Sequence, residues 1–178
     1  FDPPQKCDSK KLKKQSSYFV KTVQPLQNQI LIHYLKSRKL NIEICKMYLD
    51  EVYYTINQKK YFGVGFKNDK NQYEIRNKYA KLCLGEKWFT WINRSNKSLV
   101  VLESWSDFLS LLSLYPKCEK SKDFLILNSL SMLSKVDNVL NMYAELLFAL
   151  DNDVAGSNAT ENCLKKWNLG GVRCKDIR

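Results

Sequence analysis

The apolar positions change their period twice along the chain, and each change marks a different kind of structure. From residue 25 to about residue 50 they recur at helical spacing. Leu26, Ile30 and Tyr34, with Leu31 and Leu35 beside them, predict a helix running to about Arg38, with Pro25 in its first turn. Ile42, Cys45 and Leu49, behind Asn41 as a capping residue, predict a second helix over 42–50. The segments Val52–Ile56, Tyr61–Phe66, Gln72–Arg76 and Lys87–Ile92 are then rich in β-branched and aromatic residues. Polar turns separate them, which predicts an antiparallel meander. From Leu99 short apolar strands alternate with helices: strands at Leu99–Leu102, Phe124–Leu127, Leu146–Leu150 and Val172–Ile177, helices at Trp105–Leu114, Met132–Tyr143 and about Val154 to Trp167. Continuously apolar strands joined by helices predict a parallel sheet covered on both faces. The polar run Arg94-Ser-Asn-Lys-Ser98 is the expected boundary between the two patterns.

Charge follows the same division. The 178 residues hold 29 Lys/Arg against 18 Asp/Glu, a net charge of +11. Residues 1–98 hold 20 against 8 and residues 99–178 hold 9 against 10, so the first half is strongly basic and the second nearly neutral. A basic half joined to one with clustered acids suits a polyanion gripped by the first and processed by the second; a basic surface that only aids solubility has the same composition. Residues 1–24, with Lys10, Lys11, Lys13 and Lys14, read as a basic arm or linker. No run approaches the roughly 18 apolar residues of a membrane span. The 6 cysteines include no C-x-x-C pair and there is 1 histidine, which argues against structural zinc and for a reducing, cytoplasmic setting. The chain opens on Phe1 and stops within a predicted strand, so it is expected to be a fragment of a longer protein.

Two acidic signals stand at matching places in the second half. Leu99-Val-Val-Leu-Glu103-Ser-Trp-Ser-Asp107 puts Glu103 at the carboxyl end of a strand and Asp107 one turn into the next helix. Leu147-Phe-Ala-Leu-Asp151-Asn-Asp153-Val-Ala-Gly156 puts Asp151 and Asp153 at the end of another. Sites in open parallel sheets form beyond the carboxyl ends of the strands, so the four carboxylates converge if these two strands are neighbours. Like charges in one cleft raise each other's pKa, and magnesium, a hard cation bound through one or two carboxylates and substrate phosphate, resolves the conflict. Each piece also has an ordinary reading. Ser104-x-x-Asp107 fits a capping box, and Asp153 fits an N-cap. A calcium-binding loop is excluded, because Ala155 stands where an oxygen ligand belongs and Asn162 where the bidentate glutamate should be.

Glu103-Ser-Trp-Ser-Asp107 followed by Asp151-Asn-Asp153-Val-Ala-Gly156 resembles the TOPRIM signature of primases, topoisomerases and some nucleases. That signature is a strand-end glutamate, usually followed by glycine, and a later D-x-D-x-A-G. Leu125-Ile-Leu-Asn-Ser129 is similar to the strand and turn that bacterial primases place between the two motifs. Residues 35–97, including Tyr61-Phe-Gly-Val-Gly-Phe66 and Tyr73-Glu-Ile-Arg-Asn77, resemble the basic part of the primase core. The match is to primase-like proteins of plasmids and mobile elements, with two departures: Ser104 replaces the glycine, and the zinc module that usually precedes this core is not in the sequence.

The resemblance implies an α/β fold: a TOPRIM-like parallel sheet with flanking helices (99–178), preceded by a smaller basic α+β subdomain (25–98). It implies a DNA primase, a nucleotidyltransferase making RNA primers on single-stranded DNA, with Mg2+ as cofactor and Mn2+ able to substitute. Glu103 is then the catalytic residue, Asp107, Asp151 and Asp153 the metal and nucleotide positions, and Arg76, Lys81 and Lys87 the contacts to template phosphate or nucleotide. Expected partners are single-stranded DNA, nucleotide triphosphates and a replicative helicase. The alternatives are strand cleavage of the topoisomerase or nuclease type, and a non-catalytic nucleic-acid-binding module. Tyr73, Tyr79, Trp88 and Trp91 could stack on unpaired bases, although alternation in strands favours packing for them. Gly63-Val-Gly65 lacks the third glycine and following helix of a dinucleotide site.

Overall fold

A computed structural model describes residues 18–178 as two five-stranded sheets that share a core. The lysines of the expected basic arm at 10–14 lie outside the described residues.

The first sheet is wholly antiparallel, in the order β1 (Tyr18–Pro25), β2 (Leu49–Ile56), β3 (Lys59–Lys67), β4 (Tyr73–Arg76) and β5 (Lys81–Leu84). Tyr18–Pro25, of which residues 18–24 were expected within the arm, is an edge strand paired to β2 from Tyr18↔Ile56 to Pro25↔Asp50. Pro25 therefore ends a strand, where its missing N–H is tolerated at the sheet edge. Helix α1 (Gln29–Ser37) opens instead at Asn28, whose side-chain oxygen accepts from the N–H of Ile30 at 2.9 Å and of Leu31 at 3.4 Å. Asn41 caps α2 (Ile42–Tyr48) in the same way, as its position predicts. The β2–β3 hairpin turns at Asn57 and Gln58, both at positive φ, which matches the twist of the paired strands. Gly63 and Gly65 serve packing: a Cβ on them would meet Ile75 Cγ2 at 2.7 Å and Val52 Cγ2 at 2.4 Å.

The second sheet has the order β10 (Arg173–Asp176), β9 (Glu145–Ala149), β7 (Ser98–Leu102), β8 (Asp123–Ile126) and β6 (Thr90–Ile92). The first four are parallel and β6 runs antiparallel to β8. This corrects the expectation that Lys87–Ile92 closes the meander: only Thr90–Ile92 is strand, and it belongs to the second sheet. Helices α3 (Trp105–Leu114) and α4 (Cys118–Ser121) connect β7 to β8, and α6 (Val154–Leu169) connects β9 to β10. The helix expected over Met132–Tyr143 is instead a 3-10 segment, Leu130–Lys135, and one turn, α5 (Asp137–Leu140). Met132, Val136, Val139, Leu140 and Tyr143 are nevertheless buried, so the apolar spacing is used while Ser131, Ser134, Asn138 and Asn141 supply too little helix propensity to join the turns.

Strand β7 is buried on both faces. Leu99 and Val101 pack with Leu125, Phe148 and Trp167, whereas Val100 and Leu102 pack with Phe108 and Phe124 and, from the first half, Leu31, Leu35, Val64 and Phe66. A smaller cluster of Val52, Tyr54, Ile75 and Leu84 covers the other face of the first sheet. No described helix is long and apolar enough to cross a membrane.

Candidate active site

The order of the second sheet makes β7 and β9 neighbours, with Leu102 opposite Ala149 at their carboxyl ends. Glu103 leaves β7 there and Asp151 and Asp153 follow β9, so two stretches 44 or more residues apart in sequence meet at one sheet edge through the pairing of two apolar strands. The charges of Asp151, Asp153 and Asp107 all act on Glu103. Burial, and after it the Asp151 charge, pushes the Glu103 carboxyl up, against a hydrogen bond from the Asp151 backbone N–H. Its Oε2 is buried and has no hydrogen-bond partner. Asp151 is raised as well, first by burial and then by Asp107 and Asp153, with Lys81 and Arg76 opposing.

Two of the three motif aspartates also have local tasks. Asp107 Oδ2 accepts from the Ser104 N–H at 2.9 Å and from Ser104 Oγ at 2.6 Å, which fixes it against the start of α3. Asp153 caps α6, Oδ1 accepting from the Gly156 N–H at 2.7 Å. Gly156 is buried against the strand end, and a Cβ there would lie 2.1 Å from the carbonyl oxygen of Asp151. The glycine thus lets the helix start press against the acidic turn.

The three cations expected at the site are distributed in two steps. Arg76 Nη1 donates to Ser106 Oγ at 2.9 Å and its guanidinium lies 5.1 Å over the Trp105 ring. Ser106 Oγ is 2.8 Å from Ser104 Oγ, so hydroxyls join Arg76 to Asp107. Lys81 is near enough to act on Asp151. Lys87 is set further back: its Nζ lies 3.7 Å from Glu74 Oε2 and 3.4 Å from the carbonyl oxygen of Asn128. Of the four aromatics, Tyr73 packs in the first sheet, Trp88 stacks on Phe89, and Trp91 donates from Nε1 to Tyr143 at 2.8 Å. Only Tyr79 stands free in solvent, 87% exposed.

Two polar residues that the sequence did not mark complete the surroundings. Glu74 is 4% exposed, with Oε1 unpartnered; burial raises its carboxyl, against Cys83 and the cations Lys87, Lys81 and Arg76. Asn128, at positive φ after β8, has a buried, unpartnered Oδ1, and the residue lines one small space with Arg76, Lys81, Ser104 and Trp105. Its position within Leu125-Ile-Leu-Asn-Ser129 was the available signal. Glu74 had only the Tyr73-Glu-Ile-Arg76 stretch, which says nothing of burial. Among the described residues no three His, Cys, Asp or Glu side chains are grouped so as to hold a metal ion by themselves.

Strand order, strand-end acids and flanking helices define an open, mostly parallel α/β domain with its acids at the carboxyl ends of the strands. Residues 100–178 match the Toprim-like family, and residues 20–85 match a domain of unknown function, DUF8464. The whole fold is similar to the crystal structure of the primase fragment of the bacteriophage T7 primase-helicase protein. The TM-score is 0.57 at 15% identity, over 81% of this chain and 64% of that one. It is also similar to a chain in the structure of bacteriophage T7 lagging-strand DNA polymerase interacting with primase domains of two gp4 subunits bound to an RNA/DNA hybrid and dTTP, with TM-score 0.53, 14% identity, and coverage of 87% and 85%. The chain thus spans 64% of the length of the T7 primase fragment. No curated protein sequence matches it. The second half thus carries the Toprim-like match, and the fold of the chain is similar to that of the T7 primase fragment.

Proposed function

We propose that this chain is the core of a DNA primase, a nucleotidyltransferase making RNA primers on single-stranded DNA during replication or mobile-element transfer. The observation that carries the reading is the meeting of Glu103, Asp107, Asp151 and Asp153 at the carboxyl ends of β7 and β9, with Arg76 and Lys81 close enough to act on Asp151.

The donor set fits magnesium, with manganese as a substitute, because Asp107, Asp151 and Asp153 offer only hard carboxylate oxygens. A magnesium ion would need only one or two of these carboxylates, the rest of its shell coming from substrate phosphate and water. Asp151, Asp153 and Asp107 are the carboxylates from which those ligands would come, and a bound ion would supply neutralisation of charge on the phosphoryl group in transfer. Glu103 is the carboxylate we assign to accept the proton of the primer 3′-hydroxyl, and its raised carboxyl suits a general base. Arg76, fixed by Ser106 and Trp105, and Lys81 hold the triphosphate. Lys87 contacts the template or steadies Glu74. Template, nucleotide triphosphates and a replicative helicase are the partners, and the cytoplasm, where the described free thiols stay reduced, is the setting.

The test is primer synthesis on a single-stranded template, with magnesium or manganese, by the longer protein that contains this chain. Glu103→Gln should lower product formation about 100-fold or more. No product from the wild type, or equal product from the variant, refutes the reading.

A further inference from the structure

The carboxyl end of β10 closes on the acidic turn from the side away from the first sheet's cations. The Ile177 N–H donates to the Phe148 carbonyl at 2.9 Å, so the chain past β10 still runs beside the end of β9. Asp176 Oδ1 then accepts from the Arg178 N–H at 3.1 Å, which turns the backbone. The same carboxylate binds the Arg178 guanidinium: Nη2 donates to Oδ2 at 2.6 Å, and Nε lies 2.9 and 3.0 Å from the two oxygens. On the other side of the fork, Nη1 donates to Ser157 Oγ at 2.9 Å and lies 3.5 Å from the carbonyl oxygen of Asp151.

Arg178 is thus held from both sides, by Asp176 on the strand and by Ser157 in the first turn of α6. Its side chain is only 17% exposed, although it stands outside any regular element. Ordering so long a side chain costs entropy, which a planar fork bound on both sides offsets. What the fork spans is the segment from Asp151 to Ser157, which carries two of the four site carboxylates. Asp107 and Asp153 repel Asp151, and all three repel Glu103, so the charges act to open this turn. The Asp153 cap on Gly156 holds the turn from within, and Arg178 joins its two ends from outside. The Asp151 backbone N–H donates to Glu103, so a shift of the turn also reaches that carboxylate.

We infer that Arg178 is a positioning residue, which keeps the Asp151–Ser157 turn in the shape that presents Asp151 and Asp153 before a metal ion arrives. The inference rests on the proposed reading of the site and adds how its acids stay in place against their own repulsion. It gives a cation an effect opposite to that of its charge. By Coulomb attraction alone, a guanidinium beside carboxylates competes with a metal ion, and its removal strengthens metal binding. As a positioning group, its removal weakens metal binding, as the loss of an outer-shell partner does. The two roles therefore predict opposite signs.

The test uses the 178-residue chain and two readouts. In metal-free protein, hydrogen exchange of the Gly156 and Ser157 amides, both bonded to Asp153, reads the turn directly. Arg178→Ala should speed their exchange about 10-fold while the amides of β7 and α3 keep the wild-type rate. Ser157→Ala, which removes the Oγ contact and alters no charge, should act in the same direction and less. Manganese binding, followed by electron paramagnetic resonance of the free ion, should weaken about 10-fold in Arg178→Ala and by a smaller factor in Ser157→Ala. Unchanged exchange in Arg178→Ala overturns the inference, and so does manganese bound by that variant as tightly as by the wild type, or more tightly. A wild type that binds no manganese, with a turn that still loosens in Arg178→Ala, sinks the proposed function and leaves the positioning role standing.

Discussion

At the amino ends of the parallel strands, Asp123 and Glu145 are surrounded by donors; at the carboxyl ends, Glu103 and Asp151 are surrounded by other acids. Asp123 is 0% exposed, yet its oxygens accept from Tyr143 Oη at 2.7 Å, Asn96 Nδ2 at 2.9 Å and the N–H groups of Arg94 and Asn96 at 3.0 and 3.2 Å. Burial alone raises its carboxyl, but these donors outweigh burial and hold it below the ordinary range. Glu145 is lowered by the Ser98 hydroxyl at 2.7 Å and by Lys122 and Arg173 at 3.3 and 3.6 Å. Glu103, less buried than Asp123, is raised and has an orphan oxygen. Burial therefore does not separate the two kinds of acid; the supply of donors does. A satisfied carboxylate ties the strand entry to its linker, whereas an unsatisfied one is left for something the chain itself does not provide.

The comparison can be broken at either end. Asp123→Ala should remove about 3 kcal/mol from stability in urea unfolding, because Tyr143 and two backbone N–H groups lose a charged acceptor. A loss below 1 kcal/mol would place the amino-end acids outside the stabilising frame. Gly156→Ala should cost about 2 kcal/mol in the same experiment, since the added Cβ collides with the Asp151 carbonyl.

Asp151→Asn is the smallest effect and has the opposite sign. In metal-free protein it should raise the unfolding midpoint, by no more than about 1 kcal/mol because solvent screens the group. Millimolar magnesium should stabilise the wild type but hardly the variant. The pH dependence separates the ends as well. Glu103 and Asp151, raised by folding, contribute stability below their unfolded pKa and lose it as pH rises through the folded value. Asp123 and Glu145, lowered by folding, contribute above their unfolded pKa and lose that stability as pH falls through the folded value. On titration from neutral into acid, Asp123→Ala should therefore flatten the fall in stability and Asp151→Asn should steepen it.

The parallel sheet was legible because its strands are short uninterrupted apolar runs, and the acids because they stand directly after two of them. The identity of the neighbours, β7 beside β9, was a condition in the sequence and is a fact of the fold. What escaped were features that local pattern does not encode. Strand β5, Lys81–Leu84, is four residues opened by a lysine and held by its partner β4. Thr90–Ile92 has the alternation of the meander, and only pairing with β8 assigns it to the other sheet. Glu74 alternates with apolar neighbours like any strand residue, and its burial depends on β5 and Lys87 being brought over it. The cap at Asn28 was hidden by Pro25, which suits a strand end as well as a helix start.

Strand β6 lies between the two family matches, 20–85 and 100–178, and within neither. It lines the outer side of β8 with backbone hydrogen bonds, and β8 is buried along its whole length. A piece beginning at Ser98 would expose that apolar strand as an open edge, a ready template for pairing with other molecules and for precipitation. The three residues of β6 are in that sense a solubility device, which fastens the catalytic-looking half to the segment before it more firmly than the family boundaries suggest.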